Sequence, residues 1–340
     1  MVVQVRLHLG DLAPMEERHE GTVFRSTGKW ADVQAPDGRR VECRLRGKFR
    51  MEGLRTTNPI AVGDHVTWTE EEDGTGVITE IAPRRNRIIR RSVNLSHEAH
   101  VVAANLDRAW LVVTLVEPNT SSGFVDRFLV TAEAYGVPTT LLFNKVDVLL
   151  QLGEEAEDLL ASWMTMYSEA GYECLPISAT EAIGLEGVRD RMKGGIHLIS
   201  GHSGVGKSTL LNALIPGLEQ KTAEVSDVHD KGRHTTTFAE MFPLPGEDGG
   251  FIIDTPGIKG FGLVRIEKET LHHHFPEMFR LLPDCKFHNC RHLDEPGCAV
   301  RRAVENGTVD DERYRNYRNM VEEFDEGPYR AGGQRGGQGA

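Results

Sequence analysis

The nine residues GHSGVGKST, Gly201 to Thr209, constrain this chain more than any other segment. They follow the apolar run IHLIS and precede LLNALI, so the sequence predicts a strand, a glycine-rich turn and a helix in that order. Such a turn aims backbone N–H groups and a helix N-terminus at one point, which suits phosphate oxygens. In the pattern G-x-x-x-x-G-K-[ST], Lys207 reaches the β- and γ-phosphates and Ser208 ligates Mg²⁺. The candidate phosphate contacts are Gly201, His202, Ser203, Gly204, Val205, Gly206, Lys207, Ser208 and Thr209.

Downstream, FIIDTPG ends a buried-type strand with Asp254, suited to the outer shell of that Mg²⁺, while the Gly257 N–H can meet the γ-phosphate. Between the two motifs lies a long polar stretch ending in GRHTTT. A switch loop needs a threonine hydroxyl on Mg²⁺ and an N–H on the γ-phosphate, so that losing the phosphate releases the loop. Thr236 is the candidate by its place before the next strand, and Thr235 and Thr237 are rivals that spacing does not separate. Where many enzymes of this kind carry a water-orienting Gln, this chain has Ile258, so slow intrinsic hydrolysis is expected. His234 is the candidate to orient the water in its place, with a plain loop histidine as the alternative.

Base choice is read from NKVD, Asn144 to Asp147, after the strand PTTLLF. The Asp147 carboxylate can accept two hydrogen bonds from guanine N1–H and its amino group, which adenine does not supply, and the Lys145 stem packs along the ring. Ser178 and Ala179 follow the strand YECLPI, and the Ala179 N–H is placed to meet guanine O6. Apolar runs alternate with helical segments from about 106 to 265, which predicts a doubly wound α/β domain with six strands. The base motif usually follows the phosphate loop; here it precedes it. A compact domain with neighbouring termini can be reconnected and cut elsewhere without losing its site. One consequence is that the chain leaving Gly257 runs directly into the C-terminal region.

From about 20 to 82, short β-prone stretches separated by turn signals predict a small barrel of the OB type. The net charge of −12 argues against nucleic acid, but screening makes local patches decisive. Arg39, Arg40, Arg44, Arg46, Lys48, Arg50 and Arg55 face only Glu42 and Glu52 in that interval, and Arg84, Arg85, Arg87, Arg90 and Arg91 follow, read as a linker after Pro83. RNA contact is one reading, with Trp30, Phe49 or Trp68 available for stacking; a solvated face over an aromatic core is the other. Near the C-terminus, Cys285-x₄-Cys290-x-His292-x₅-Cys298 suits a closed tetrahedral Zn²⁺ site, with His288 as an alternative nitrogen. The run His272 to His274 reads as a partly exposed helical face, and Tyr314, Tyr317, Val321 and Phe324 share one side of a helix. No run is long enough to span a bilayer and no signal-peptide pattern opens the chain, so a cytoplasmic protein is expected.

Permuted order, GHSGVGKST, GRHTTT, DTPG, a preceding barrel and a trailing Cys/His cluster together resemble the small-ribosomal-subunit-dependent GTPase A family, RsgA or YjeQ. The resemblance implies a GTPase; the motifs add Mg²⁺ with GTP or GDP, the Cys/His spacing adds a structural Zn²⁺, and a monomer is expected. Its partners would be the small ribosomal subunit and its rRNA, acting in late subunit maturation, with turnover stimulated by that subunit. Catalytic roles then fall on His234, Lys207 and Thr236. The expected organisation is an arm over 1–20, an OB-fold RNA-binding domain over 21–83, a circularly permuted GTPase domain over 84–265, a zinc-binding helical domain over 266–328 and a disordered tail over 329–340. Two other readings stand beside it: a non-catalytic GTP-responsive RNA-binding scaffold, and a phosphate-loop ATPase or kinase, which the base motif disfavours.

Overall fold

The computed structural model describes residues 17–45, 59–91, 99–218, 239–246, 248–255, 263 and 266–326. Five strands come first: β1 (Arg18–Ser26), β2 (Trp30–Gln34), β3 (Arg40–Leu45), β4 (His65–Glu70) and β5 (Gly76–Ile81). Their order is β1-β2-β3-β5-β4, and β4 pairs back onto β1, closing an OB-like barrel. A shift of register between Val23 and Arg25 bends β1 so that it serves both neighbours. Inward residues alternate along each strand, and Val23, Val33, Cys43, Trp68 and Ile78 fill the core. Trp68 is fully buried, so of the three aromatics read as stacking surfaces it is removed, and Trp30 is exposed. Phe49, Arg46, Lys48, Arg50 and Arg55 lie outside the described residues.

The arginine-rich stretch is not a linker. Arg87–Arg91 forms β6, paired antiparallel with β7 (Ala99–Ala104). Ile88 and Ile89 are buried, and their apolar anchoring is what the surrounding charge conceals in the sequence. The Arg84 guanidinium makes two hydrogen bonds to the buried Asp64, 2.6 and 2.7 Å, and Ala104 donates to Val62 O at 2.9 Å. Gly63 has φ +90°, and a Cβ there would meet Ala104 O at 2.1 Å, so this junction requires glycine. Barrel and hairpin are thereby fixed together.

The α/β layer follows: β8 (Arg108–Val113), α1 (Ser122–Ala134), β9 (Thr139–Phe143), α2 (Val146–Leu150), α3 (Glu154–Ala170), β10 (Glu173–Pro176), α4 (Leu185–Arg191), β11 (Ile196–Ser200), α5 (Lys207–Leu214), β12 (Glu240–Pro243) and β13 (Phe251–Asp254). The sheet runs β10-β9-β8-β11-β13-β12, parallel throughout except for β12 against β13. Both faces are covered, so Leu111 and Val113 pack with α1 and α3 on one side, and Trp110 and Val112 with α4 and α5 on the other. Chain order reverses between β8 and β11, which opens a crevice at the carboxyl ends of those strands. Register joins β12 to the barrel through Arg25 and Glu240.

The C-terminal region holds a 3-10 helix (Lys268–His274), α6 (Pro276–Leu281), α7 (Ala299–Glu305) and α8 (Asp311–Glu326). Tyr314, Tyr317 and Val321 of α8 enter its core, with Phe324 packed at the edge. Arg313 of α8 is fully buried and bridges Asp126 of α1 at 2.5 Å and Glu277 of α6 at 2.8 Å. His272 is buried, 3% exposed, which corrects its reading as part of an exposed face. Among the described residues no helix is long and apolar enough to cross a membrane.

Candidate nucleotide site and metal centre

The phosphate loop leaves β11 and enters α5 at the crevice, where Gly201, Gly204 and Gly206 all have positive φ. At Gly206 a Cβ would stand 2.4 Å from Asn144 Nδ2, so the loop needs glycine where the base motif crosses beneath it. Lys207 folds back over the loop and donates to Gly201 O at 2.8 Å and His202 O at 2.7 Å. Burial pulls its ammonium down to about 8, against the opposing field of the Asp254 carboxylate. A bound phosphate would add negative charge beside this half-buried cation. Asp254 ends β13 beside Ile199 of β11 and is buried, and Thr255 donates to Ile199 O at 3.2 Å. Ser208 and Thr209 open α5.

Asn144 ties the site together. Its Nδ2 donates to Val205 O at 2.8 Å and its Oδ1 accepts the Ala179 N–H at 3.0 Å. The Ala179 N–H, read from sequence as a donor to guanine O6, is thus engaged by Asn144 in this structure. Ser178 is buried, and its Oγ accepts the Glu181 N–H at 3.0 Å. Lys145 has φ +66°, and its Nζ donates to Glu117 O across the crevice. Asp147 sits in the first turn of α2, half-buried and without a hydrogen-bond partner among the described residues. Ser178, Ala179, Asn144 to Asp147, the phosphate loop and Asp254 therefore converge on one crevice. His234, Thr235, Thr236, Thr237, Gly257 and Ile258 lie outside the described residues.

Sequence reasoning missed the loop between β8 and α1. Thr120 Oγ1 lies 2.7 Å from His202 Nε2, and Gly204 approaches Pro118. The signal was present: Thr-Ser-Ser before an apolar helical run is a helix-capping pattern, and Ser121 does accept the Phe124 N–H at 3.3 Å.

In the C-terminal region Cys285, Cys290, His292 and Cys298 bring their ligand atoms within 4.8 Å of one another. His292 Nδ1 is 3.6 Å from Cys285 Sγ and 3.4 Å from Cys298 Sγ, while His288 is outside the cluster and exposed. A tetrahedral metal with bonds of about 2.3 Å to sulfur needs sulfurs roughly 3.8 Å apart, which this cluster can meet. Backbone N–H groups of Ala299 and Arg301 point at Cys285 and Cys298 sulfur, 3.3 and 3.4 Å, as they would toward thiolates. Burial, then the neighbouring thiols, push Cys290 up to about 12, and a bound cation would favour its thiolate. Burial likewise holds His292 down to about 4, the neutral imidazole that a metal requires. Tyr314 anchors the knuckle by donating to His292 O at 2.7 Å.

The basic face of the barrel is partly neutralised from within. Arg39 pairs with Glu70 at 3.1 Å and Arg44 with Glu71 at 2.7 Å, while Arg85 pairs with Asp107 at 2.7 Å.

Comparison with known proteins identifies the family. A family model described as "RsgA GTPase" matches residues 81–264, and one described as "RsgA N-terminal domain" matches 20–78. The chain is 53% identical over 312 residues to the "Small ribosomal subunit biogenesis GTPase RsgA" of Bacteroides fragilis, covering 92% of this chain and 99% of that one. It is 50% identical over 306 residues to the protein of the same name from Christiangramia forsetii, covering 89% and 96%. The crystal structure of YjeQ from Thermotoga maritima superposes with a TM-score of 0.71 at 36% identity, covering 90% of this chain and 98% of that one. YloQ, described as a circularly permuted GTPase, superposes with a TM-score of 0.68 at 28% identity, covering 95% and 98%. The chain, with its OB-like barrel, permuted α/β core and Cys₃His region, therefore belongs to the RsgA/YjeQ family of circularly permuted GTPases.

Proposed function

We propose that this protein hydrolyses GTP in the cytoplasm as a factor in late maturation of the small ribosomal subunit, binding rRNA and turning over fastest when docked there. The observation that carries the reading is the convergence of Lys207, Asn144, Asp147 and Asp254 on one crevice from strands β11, β9 and β13. Relatives across most of the chain that are named for small-subunit biogenesis support the choice of partner. Guanine is selected by Asp147, whose carboxylate has no competing partner among the described residues. Lys207 and the loop N–H groups hold the β- and γ-phosphates, and Ser208 and Thr236 hold Mg²⁺, which supplies charge neutralisation in phosphoryl transfer. Gly257 reports the γ-phosphate, and His234 orients the attacking water in place of the glutamine that Ile258 replaces. Cys285, Cys290, His292 and Cys298 hold one structural Zn²⁺. The working units are the barrel over 21–83, the GTPase over 84–265 and the zinc region over 266–328, in a monomer.

Hydrolysis by the full chain, alone and with purified small subunits at rising salt, tests this. Slow turnover alone, acceleration by the small subunit and loss of that acceleration with salt are expected, because part of the docking is to phosphate. His234→Ala should lower the stimulated rate far more than nucleotide affinity. Unchanged turnover with small subunits at low salt would remove the ribosomal assignment.

A further inference from the structure

His202, the second residue of the phosphate loop, has both ring nitrogens engaged. Nδ1 faces the Ser203 carbonyl at 3.1 Å and so must carry a proton. In the neutral ring, Nε2 is then an acceptor, 2.7 Å from the Thr120 hydroxyl, and Thr120 is the donor. Burial, reinforced by the Lys207 and Lys145 charges, holds the His202 pKa below the ordinary histidine value and favours that neutral ring. Thr120 has little freedom to rotate: it is 1% exposed, its Oγ1 also accepts the Thr114 N–H at 3.1 Å, and its own N–H donates to Thr114 O at 2.8 Å. Phe124 meets the His202 ring edge-on, with centroids 5.4 Å apart.

Two residues beyond Thr120 the same segment grips α8. Ser122 Oγ donates to Glu312 Oε1 at 2.6 Å and accepts from Asn316 Nδ2 at 3.0 Å. Asn316 also donates to Asp126 Oδ2 at 2.8 Å, and Asp126 is bound to Arg313. The start of α1 thus touches the phosphate loop through the Thr120 hydroxyl and α8 through that of Ser122, with the Ser121 cap between them. Because His202 O and Gly201 O are also the acceptors of Lys207, the orientation of this ring bears on the cation that meets phosphate.

We infer that Thr120 is a positioning residue through which the docking of α8 on α1 sets the geometry of the phosphate loop and hence nucleotide affinity. The inference rests on the guanine-nucleotide reading of the crevice. Linkage makes it reciprocal: nucleotide tightens the seat of α8 by the same factor that α8 tightens nucleotide. Neither Thr120 nor Glu312 lies in a recognisable nucleotide motif, and the relay comes from their placement in the fold.

The test is a fluorescent-GDP titration of the full chain, run on the parent, Thr120→Val, Thr120→Ser, Glu312→Ala and the Thr120→Val/Glu312→Ala double variant, with thermal melts alongside. Loss of the hydroxyl should weaken GDP about tenfold, the size of one buried hydrogen bond, and serine should restore it to within about twofold. Glu312→Ala should weaken GDP about threefold in the parent and have almost no further effect in the Thr120→Val background, since the relay is already cut. Parent-like affinity in Thr120→Val, failure of serine to rescue, or independent multiplication of the two effects would overturn the relay. A parent that binds no GDP would instead overturn the nucleotide reading beneath it.

Discussion

The nucleotide crevice and the Cys₃His cluster are both built on loops, yet they are held in opposite ways. At the crevice the chain supplies the counterparts itself: Asn144 pins the phosphate loop to the segment at Ala179, Thr120 holds His202, and a sheet covered on both faces carries the whole. At the cluster the four donors face one another, three of them buried. The first site is held by the chain's own hydrogen bonds. The second gathers four metal-ligand donors at one point. Between them lies the Arg313 cluster, in which one buried guanidinium faces two buried carboxyl groups.

Metal removal should separate the two regions most sharply. Structural zinc contributes about 10 kcal/mol or more to folding in small zinc domains, so Cys290→Ala or chelation should open the C-terminal helices to proteolysis. The sheet should keep its own unfolding transition, and GDP binding should persist, weakened no more than by Thr120→Val. One zinc per chain is expected from metal analysis of protein purified without added zinc, and finding none would remove the metal reading of the cluster.

Next in size is Arg313→Met. Burial pushes the Asp126 and Glu277 carboxyls up and Arg313 opposes it, so its loss strands two acids in the interior. A cost of about 3 to 5 kcal/mol is expected in denaturant melts, with Asp126→Asn in the same background recovering part of it. Asp147→Asn is smaller and confined to the crevice: it sets a donor against a donor, weakening GTP by about 1 to 3 kcal/mol without shifting the melt of the free protein.

The smallest effect is a pH dependence. Nucleotide favours the charged Lys207, whose pKa in the free protein is pulled down to about 8. Affinity should be flat below that value and fall as pH rises through it, because binding must then take up a proton. Titrations across about pH 7 to 9 check this, and Lys207→Arg, always charged, should flatten the profile.

The sequence announced the elements whose signal is local. Strand, turn and helix around Gly201 to Thr209, the apolar strands before Asn144 and Asp254, and the cysteine spacing all carry their meaning in consecutive residues, and each is found in place. What it concealed depends on distant partners. Arg87 to Arg91 reads as a charged linker until Ile88 and Ile89 are seen to be buried under its pairing with β7. Trp68 looks like a stacking surface until the barrel closes around it. Asp126, Glu277 and Arg313 share no periodicity, and only the docking of α8 on α1 brings them together. Asn144 was legible as a base-motif residue but not as the tie between two loops.

Selection of guanine by Asp147 is tested by competition against a fluorescent GDP analogue. GTP and GDP should displace the probe from the free protein, while ATP, which offers Asp147 no matching pair of donors, should leave it bound even at large excess. Equal displacement by ATP would show that Asp147 does not select the base.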